Sequence, residues 1–297
     1  MKSEKNQLSE IVDMKNPQAI FAEAQQIITA IDPEYNCAHL QTIYNDVEKL
    51  FQGKYPGYRG SSSRYYDFLS TACCFLAMAR VIHGAAIEGN KISGKELSIA
   101  LVASLMHDAG FFLHKKDKLE LNSLSTEEYI KRSIKFIKLY VKGKSYLNNS
   151  GKIFEKLLLS SAEYSKSEGE KSSDNAIDMP AKMLGAANVL GRLADRYYLE
   201  RLIFLYHEFK KADIACFGSE KDLLIHAVDY YESVRQKLHT DMKDINHYLE
   251  NHFRQRCGID GNLYLISIEK SIKYLKLILN NYENEFNSYL RRNVPTG

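Results

Sequence analysis

Apolar residues recur at intervals of three and four through most long segments of this chain, and only five prolines and sixteen glycines punctuate its 297 residues. An α-helix turns once every ~3.6 residues, so this spacing gathers the apolar side chains on one helical face and denies a strand its strict alternation. The pattern predicts helices over 17–31, 38–52, 66–88, 95–108, 126–143, 151–164, 179–210, 219–256 and 263–292, and no strand. Local chemistry marks several starts. Ser93-Gly94-Lys95-Glu96 and Ser125-Thr126-Glu127-Glu128 have capping-box spacing, in which the first hydroxyl bonds a free backbone N–H and the glutamate reaches back. Asp178 stands two residues before Pro180, where the missing N–H of proline goes unused. The segment Ser165 to Asn175, SKSEGEKSSDN, is too polar to pack a core and predicts a mobile surface loop.

A chain of this length with 45% hydrophobic residues buries a real core. The expected organisation is an N-terminal helical segment over 1–60, a helical core over 61–212, and C-terminal helices over 213–297 packed on that core. The most apolar stretch, Thr71 to Ile87, carries Arg80 and His83, so no membrane span is expected. The N-terminus, MKSEKNQLSEIVDMKN, lacks the apolar centre of a secretory signal. Five cysteines without a C-x-x-C suggest neither a disulfide framework nor a thiolate zinc site, which fits a reducing cytoplasm. The net charge of +3 comes from interleaved acids and bases, so nucleic acid is not an expected partner.

One segment carries chemistry. The apolar run Ser98 to Met106, SIALVASLM, leads directly into His107, Asp108, Ala109 and Gly110. Gly110 is expected to close the helix in the left-handed conformation and to hold the imidazole and carboxylate at its end. Burying both without partners costs several kcal/mol, which implies a metal or a hydrogen-bond network there. In a chain with nine histidines a His-Asp dipeptide alone is weak, and its context decides.

That context resembles the bacterial HD superfamily of metal-dependent phosphohydrolases, including its cyclic-nucleotide phosphodiesterase-like branch, from about Tyr65 to Phe209. The resemblance rests on YYDFLSTACCFLAMARVIHG, Tyr65 to Gly84, on the His107-Asp108 pair, and on LGAANVLGRLADR, Leu184 to Arg196. It implies an all-α, HD-domain-like helical bundle with additional N- and C-terminal helices. It also implies that a first metal is held by a histidine on the early helix, the His-Asp pair, and an aspartate on the later helix. By that register Ser70 stands at the histidine position and Asn188, between Ala187 and Val189, replaces the aspartate. Tyr129, ahead of Arg132 and Ser133, stands where a second-metal histidine is expected. Only His107 and Asp108 match.

A catalytic site for a divalent ion usually needs at least three protein ligands. Ser70 offers a neutral hydroxyl, and Asn188 keeps the shape of aspartate without its charge. Asp195 lies seven residues from Asn188, about 10 Å along a helix, and does not substitute. Without the ion there is neither a Lewis acid nor an activated water. The expectation is therefore a pseudoenzyme with no cofactor and little or no hydrolysis, retained for binding a nucleotide, another phosphorylated small molecule or a protein partner. The alternative is an active phosphohydrolase with Asp108 as catalytic residue and Mn, Fe, Zn or Mg bound. A third reading is a scaffold that forms a homodimer through its C-terminal helices.

Other candidates have plainer readings. His83 and His114 lie near the motif in sequence and are possible recruits to a rearranged site. Lys131, Lys135, Lys138 and Lys142 line one helix face, read as solvated opposite Ile130, Ile134, Ile137 and Val141. The twenty tyrosines stand in for the absent tryptophans as core and boundary packing. Arg192, Asp195, Arg196, Glu200 and Arg201 have the spacing of ion pairs between helical neighbours and are assigned no chemistry.

Overall fold

The computed structural model describes residues 7–61, 63–117, 126–164, 179–211, 213–214, 216–281 and 289–290. Asn16 and Asn36 cap α1 (Pro17–Ile31) and α2 (Cys37–Phe51), each side chain accepting from backbone N–H groups of the first turn. Asp67 does the same for α3 (Phe68–Ile87), accepting from Ser70 N at 2.9 Å. The capping box of Ser93 and Glu96 opens α4 (Gly94–Met106) as its spacing predicts. Then follow α5 (Thr126–Tyr140), α6 (Gly151–Tyr164), α7 (Met179–Leu193), α8 (Tyr198–Lys211), α9 (Glu220–His239), α10 (Lys243–Cys257) and α11 (Leu263–Asn281). The protein is all-α. Among the described residues no strand forms, and extended backbone pairs only at an isolated bridge between Tyr58 and His114. The predicted caps at Ser125 and Asp178 and the loop Ser165 to Asn175 lie outside the described residues.

Helix α3 is the axis of the molecule. Every side chain from Phe68 to Ala85 is buried, and α1, α4, α7 and α10 pack around it. Its length and composition satisfy those of a membrane span, yet its apolar window is wholly buried inside the protein. It is a core helix surrounded by other helices rather than by lipid. Close approach depends on glycines: a Cβ at Gly191 of α7 would lie 2.9 Å from the Cα of Cys74 in α3. Burial of each large aliphatic or aromatic side chain along α3 stabilises the fold by about 1.5–3 kcal/mol. The core runs continuously from Leu8 to Leu275.

Two predicted helices are each broken in two. The run over 179–210 breaks at 194–197 because the Asp195 side chain accepts from Tyr197 N at 3.0 Å and Asp195 O accepts from Tyr198 N at 2.9 Å. This local turn competes with the helical ladder and starts α8 in a new direction. The run over 219–256 breaks at Thr240, whose hydroxyl bonds back to Gln236 O at 3.0 Å while Met242 N returns to Lys237 O at 2.7 Å. Leu238 and Met242 are both buried at the bend.

Candidate functional site

The His107-Asp108 pair sits where α4 stops. Asp108 leaves the helical region, and Ala109–Phe111 form one turn of 3-10 helix. Gly110 does not adopt the expected left-handed conformation, since it is absent from the positive-φ positions. Its role is close approach: a Cβ there would lie 2.0 Å from Tyr129 O. Helix α5 clamps this turn. Ser133 Oγ accepts from Gly110 N at 2.8 Å and donates to His107 O at 2.6 Å, while Arg132 donates to Gly110 O and Phe112 O at 3.0 and 2.9 Å.

His107 Nδ1 donates to Ser104 O at 2.9 Å, because a carbonyl oxygen only accepts. That fixes the ring with Nε2 toward Asp108 Oδ2 at 3.2 Å, an electrostatic contact without the alignment of a hydrogen bond. The same Oδ2 accepts from Arg192 Nη2 of α7 at 2.6 Å. Burial alone would raise the Asp108 carboxyl. With Nδ1 donating, it is the His107 ring protonated also at Nε2 that attracts the carboxylate, and together with the Arg192 guanidinium it overcomes the burial and holds the carboxyl well below the usual carboxylate range. Arg192 in turn lies over the Tyr66 ring at 4.9 Å, Tyr66 stacks on Phe111 at 4.6 Å, and Phe111 meets Tyr129 at 4.2 Å. A guanidinium therefore stands beside the carboxylate as its counter-charge.

The three positions that the resemblance reads as replaced ligands are placed as follows. Ser70 is in the first turn of α3, buried, its backbone N held by Asp67. Asn188 lies one turn before Arg192 on α7, with its Oδ1 buried and lacking a hydrogen-bond partner. Tyr129 packs its ring on Phe111 at the foot of α5. Neither proposed recruit joins the pair: His83 bonds His252 in α10, and His114 packs edge-on against Tyr58. Lys131 and Lys138 pair with Glu127 and Glu155 on an exposed face, as a solvated stripe requires. Among the described residues no group of three or more His, Cys, Asp or Glu converges on one point. The residues around Asp108 do not fit a divalent ion, since Oδ2 is bonded to a cation and Ser70 and Asn188 are neutral.

Beside Asn188 and Arg192 opens a cavity of about 660 Å³ between α7, α8 and α9. Its floor is buried and mostly apolar, with Val189, Leu193, Tyr198, Leu202 and Leu223, while His226 and Asp229 are exposed at its mouth. Tyr65 and Tyr230 complete the wall. Burial raises the hydroxyls of Tyr65 and Tyr198 and pushes that of Tyr230 up to about 12, so all three are neutral phenols able to donate at neutral pH. Tyr65 is held in place by a second ionic cluster. Arg201 forms ion pairs with Asp67 and Asp195 at 2.7 Å each, and Glu208 accepts from Arg64 N at 2.7 Å and Ser63 Oγ at 2.8 Å.

Sequence reasoning missed Arg192. Its spacing suggests an ion pair with helical neighbours, whereas its partner stands 84 residues away. The available signal was its register, four residues after Asn188 and hence on the same face. His107→Ala is expected to cost about 1–2 kcal/mol of stability, because the Ser104 bond is lost while Arg192 still pairs Asp108. Urea denaturation checks this; a loss above about 4 kcal/mol contradicts the role given to Arg192. No family model, curated protein or solved structure matches the chain.

Proposed function

We propose that this protein is an HD-like helical scaffold that binds a nucleotide-sized ligand and does not hydrolyse it. The observation that carries this reading is the 2.6 Å bond between Arg192 Nη2 and Asp108 Oδ2. A carboxylate paired with a guanidinium is a poor ligand for a dication and a poor base for water, because the adjacent positive charge repels the ion and stabilises the ionised form. The adjoining cavity has the size of small-molecule sites, an apolar floor, and a few convergent polar groups. Tyrosine faces suit a planar base, and Asn188 Oδ1 awaits a donor. The site holds one cation, which is already paired, so affinity is expected to come from the base and sugar more than from a phosphate.

The test is a thermal-unfolding panel of nucleosides and nucleotides, with product analysis on the same samples with manganese added. A ligand that binds only the folded chain adds about 2.7 kcal/mol at one hundred times its Kd, an upward shift of several degrees. A shift without product supports the reading. Manganese-dependent product that Asp108→Asn abolishes sinks it in favour of an active phosphohydrolase, and the absence of any shift removes the ligand.

A further inference from the structure

Arg80 lies in the middle of α3 with 0% exposure. Its Nη1 donates to Tyr264 Oη in α11 at 3.0 Å, while Nε and Nη2 have no hydrogen-bond partner. Those two N–H groups point the same way and form the edge with which a guanidinium grips an anion side-on. The acids of the helices around α3 are committed elsewhere: Asp67 and Asp195 form ion pairs with Arg201, and Glu23 binds Arg256 at 3.0 and 3.1 Å. No ion pair to Arg80 forms among the described residues.

The remaining neighbours do not supply the missing charge. His83, nearly one turn after Arg80, and His252 in α10 face each other Nδ1 to Nδ1 at 3.1 Å, so one ring donates and the other accepts. Burial, with Arg80 and Arg256 adding to it, keeps these imidazoles neutral and pushes His252 down to about 2. That spacing would suit two ligands of a metal, but two guanidinium groups make the place hostile to a cation. The rings of Phe253 and Tyr264 lie 5.4 and 5.5 Å from the guanidinium carbon and offset part of its charge. Ring faces do not accept the two in-plane N–H bonds. A buried cation with two open donors and no counter-charge is strongly unfavourable.

We propose that the Nε and Nη2 edge of Arg80 binds one small monovalent anion of halide size at the seam of α3, α10 and α11. One uncompensated charge calls for one negative charge, and full burial selects an ion that sheds its water readily over a large or doubly charged one. The docking of the C-terminal helices on α3 thereby becomes anion-linked.

The experiment follows thermal unfolding of the full chain in sodium bromide against sodium gluconate at equal ionic strength, for the parent and for Arg80→Met. Gluconate is monovalent but too large for a closed site. For the parent, the folding constant is expected to rise with bromide relative to gluconate, approaching tenfold for each tenfold of bromide above its Kd. Arg80→Met is expected to lose that difference and, in gluconate, to be at least as stable as the parent, since its buried charge is gone. Equal bromide-minus-gluconate differences in parent and variant overturn the proposal. If Arg80→Met does not fold, bromide anomalous scattering from parent crystals decides. A peak within hydrogen-bond reach of Nε and Nη2 supports the site, and a map without that peak overturns it.

Discussion

Gly84→Ala is expected to destabilise the protein by more than about 4 kcal/mol, a large share of the about 5–15 kcal/mol that holds a typical native chain folded. A Cβ built on Gly84 would lie 1.7 Å from Tyr248 O, 2.4 Å from Tyr248 C and 2.8 Å from its Cα. All three are backbone atoms, so no rotamer change relieves the clash. The only relief is to lift α10 off α3, and that opens the seam where Phe253, His252 and Arg80 are packed. Overpacking of a well-filled core usually costs about 1–3 kcal/mol, and rigid backbone on the far side puts this case beyond that range. Gly89→Ala is the control. Gly89 has φ +86 but nothing within 4 Å of its would-be Cβ, so only left-handed strain of about 1–2 kcal/mol is expected. Urea denaturation of both variants checks the pair, and a Gly84→Ala loss no larger than the Gly89→Ala loss would show that α3 and α10 are not so closely apposed.

Much of the fold was legible because helix formation is written locally. The spacing of apolar residues located most of the helices, and Ser93 with Glu96 marked the cap of α4, whose first residue lies one before the expected start. What escaped was set by contacts across the chain. Asp195 has the spacing of a helical ion pair, and nothing within 179–210 reveals that its side chain will instead cap a turn and grip Arg201. Gly110 had a local reading as a left-handed helix stop, but its need for a bare Cα comes from Tyr129 O on α5. The same holds for chemistry. The His107-Asp108 pair could be picked out, whereas the partners of Asp108 and of His83 lie 84 and 169 residues away and become neighbours only once α7 and α10 pack on the core.

Building a divalent-metal site beside Asp108 is expected to require removal of Arg192 as well as the introduction of new ligands. From the sequence, Ser70→His with Asn188→Asp supplies a four-ligand set together with His107 and Asp108. The packing of α7 changes that expectation. Arg192 Nη2 already occupies Asp108 Oδ2, and the guanidinium is held there by that bond and by the face of Tyr66. A new carboxylate at position 188 lies one turn before Arg192 and is itself drawn into pairing with it. Two unit charges 4 Å apart interact by about 4 kcal/mol at an effective dielectric of 20, and a dication doubles the repulsion. Adding Arg192→Met to the double variant should therefore tighten manganese binding by about 100-fold or more, roughly 2.7 kcal/mol. Arg192→Met alone should bind no manganese and should lose about 3 kcal/mol of stability, because Asp108 is left with only His107. Calorimetric titration of parent, double and triple variants reads the outcome, with urea denaturation confirming that each is folded. Equal affinity in the double and triple variants would mean that Arg192 does not hold the place of the cation. A folded triple variant that binds nothing would instead place the fault in the register that puts Ser70 and Asn188 at the ligand positions.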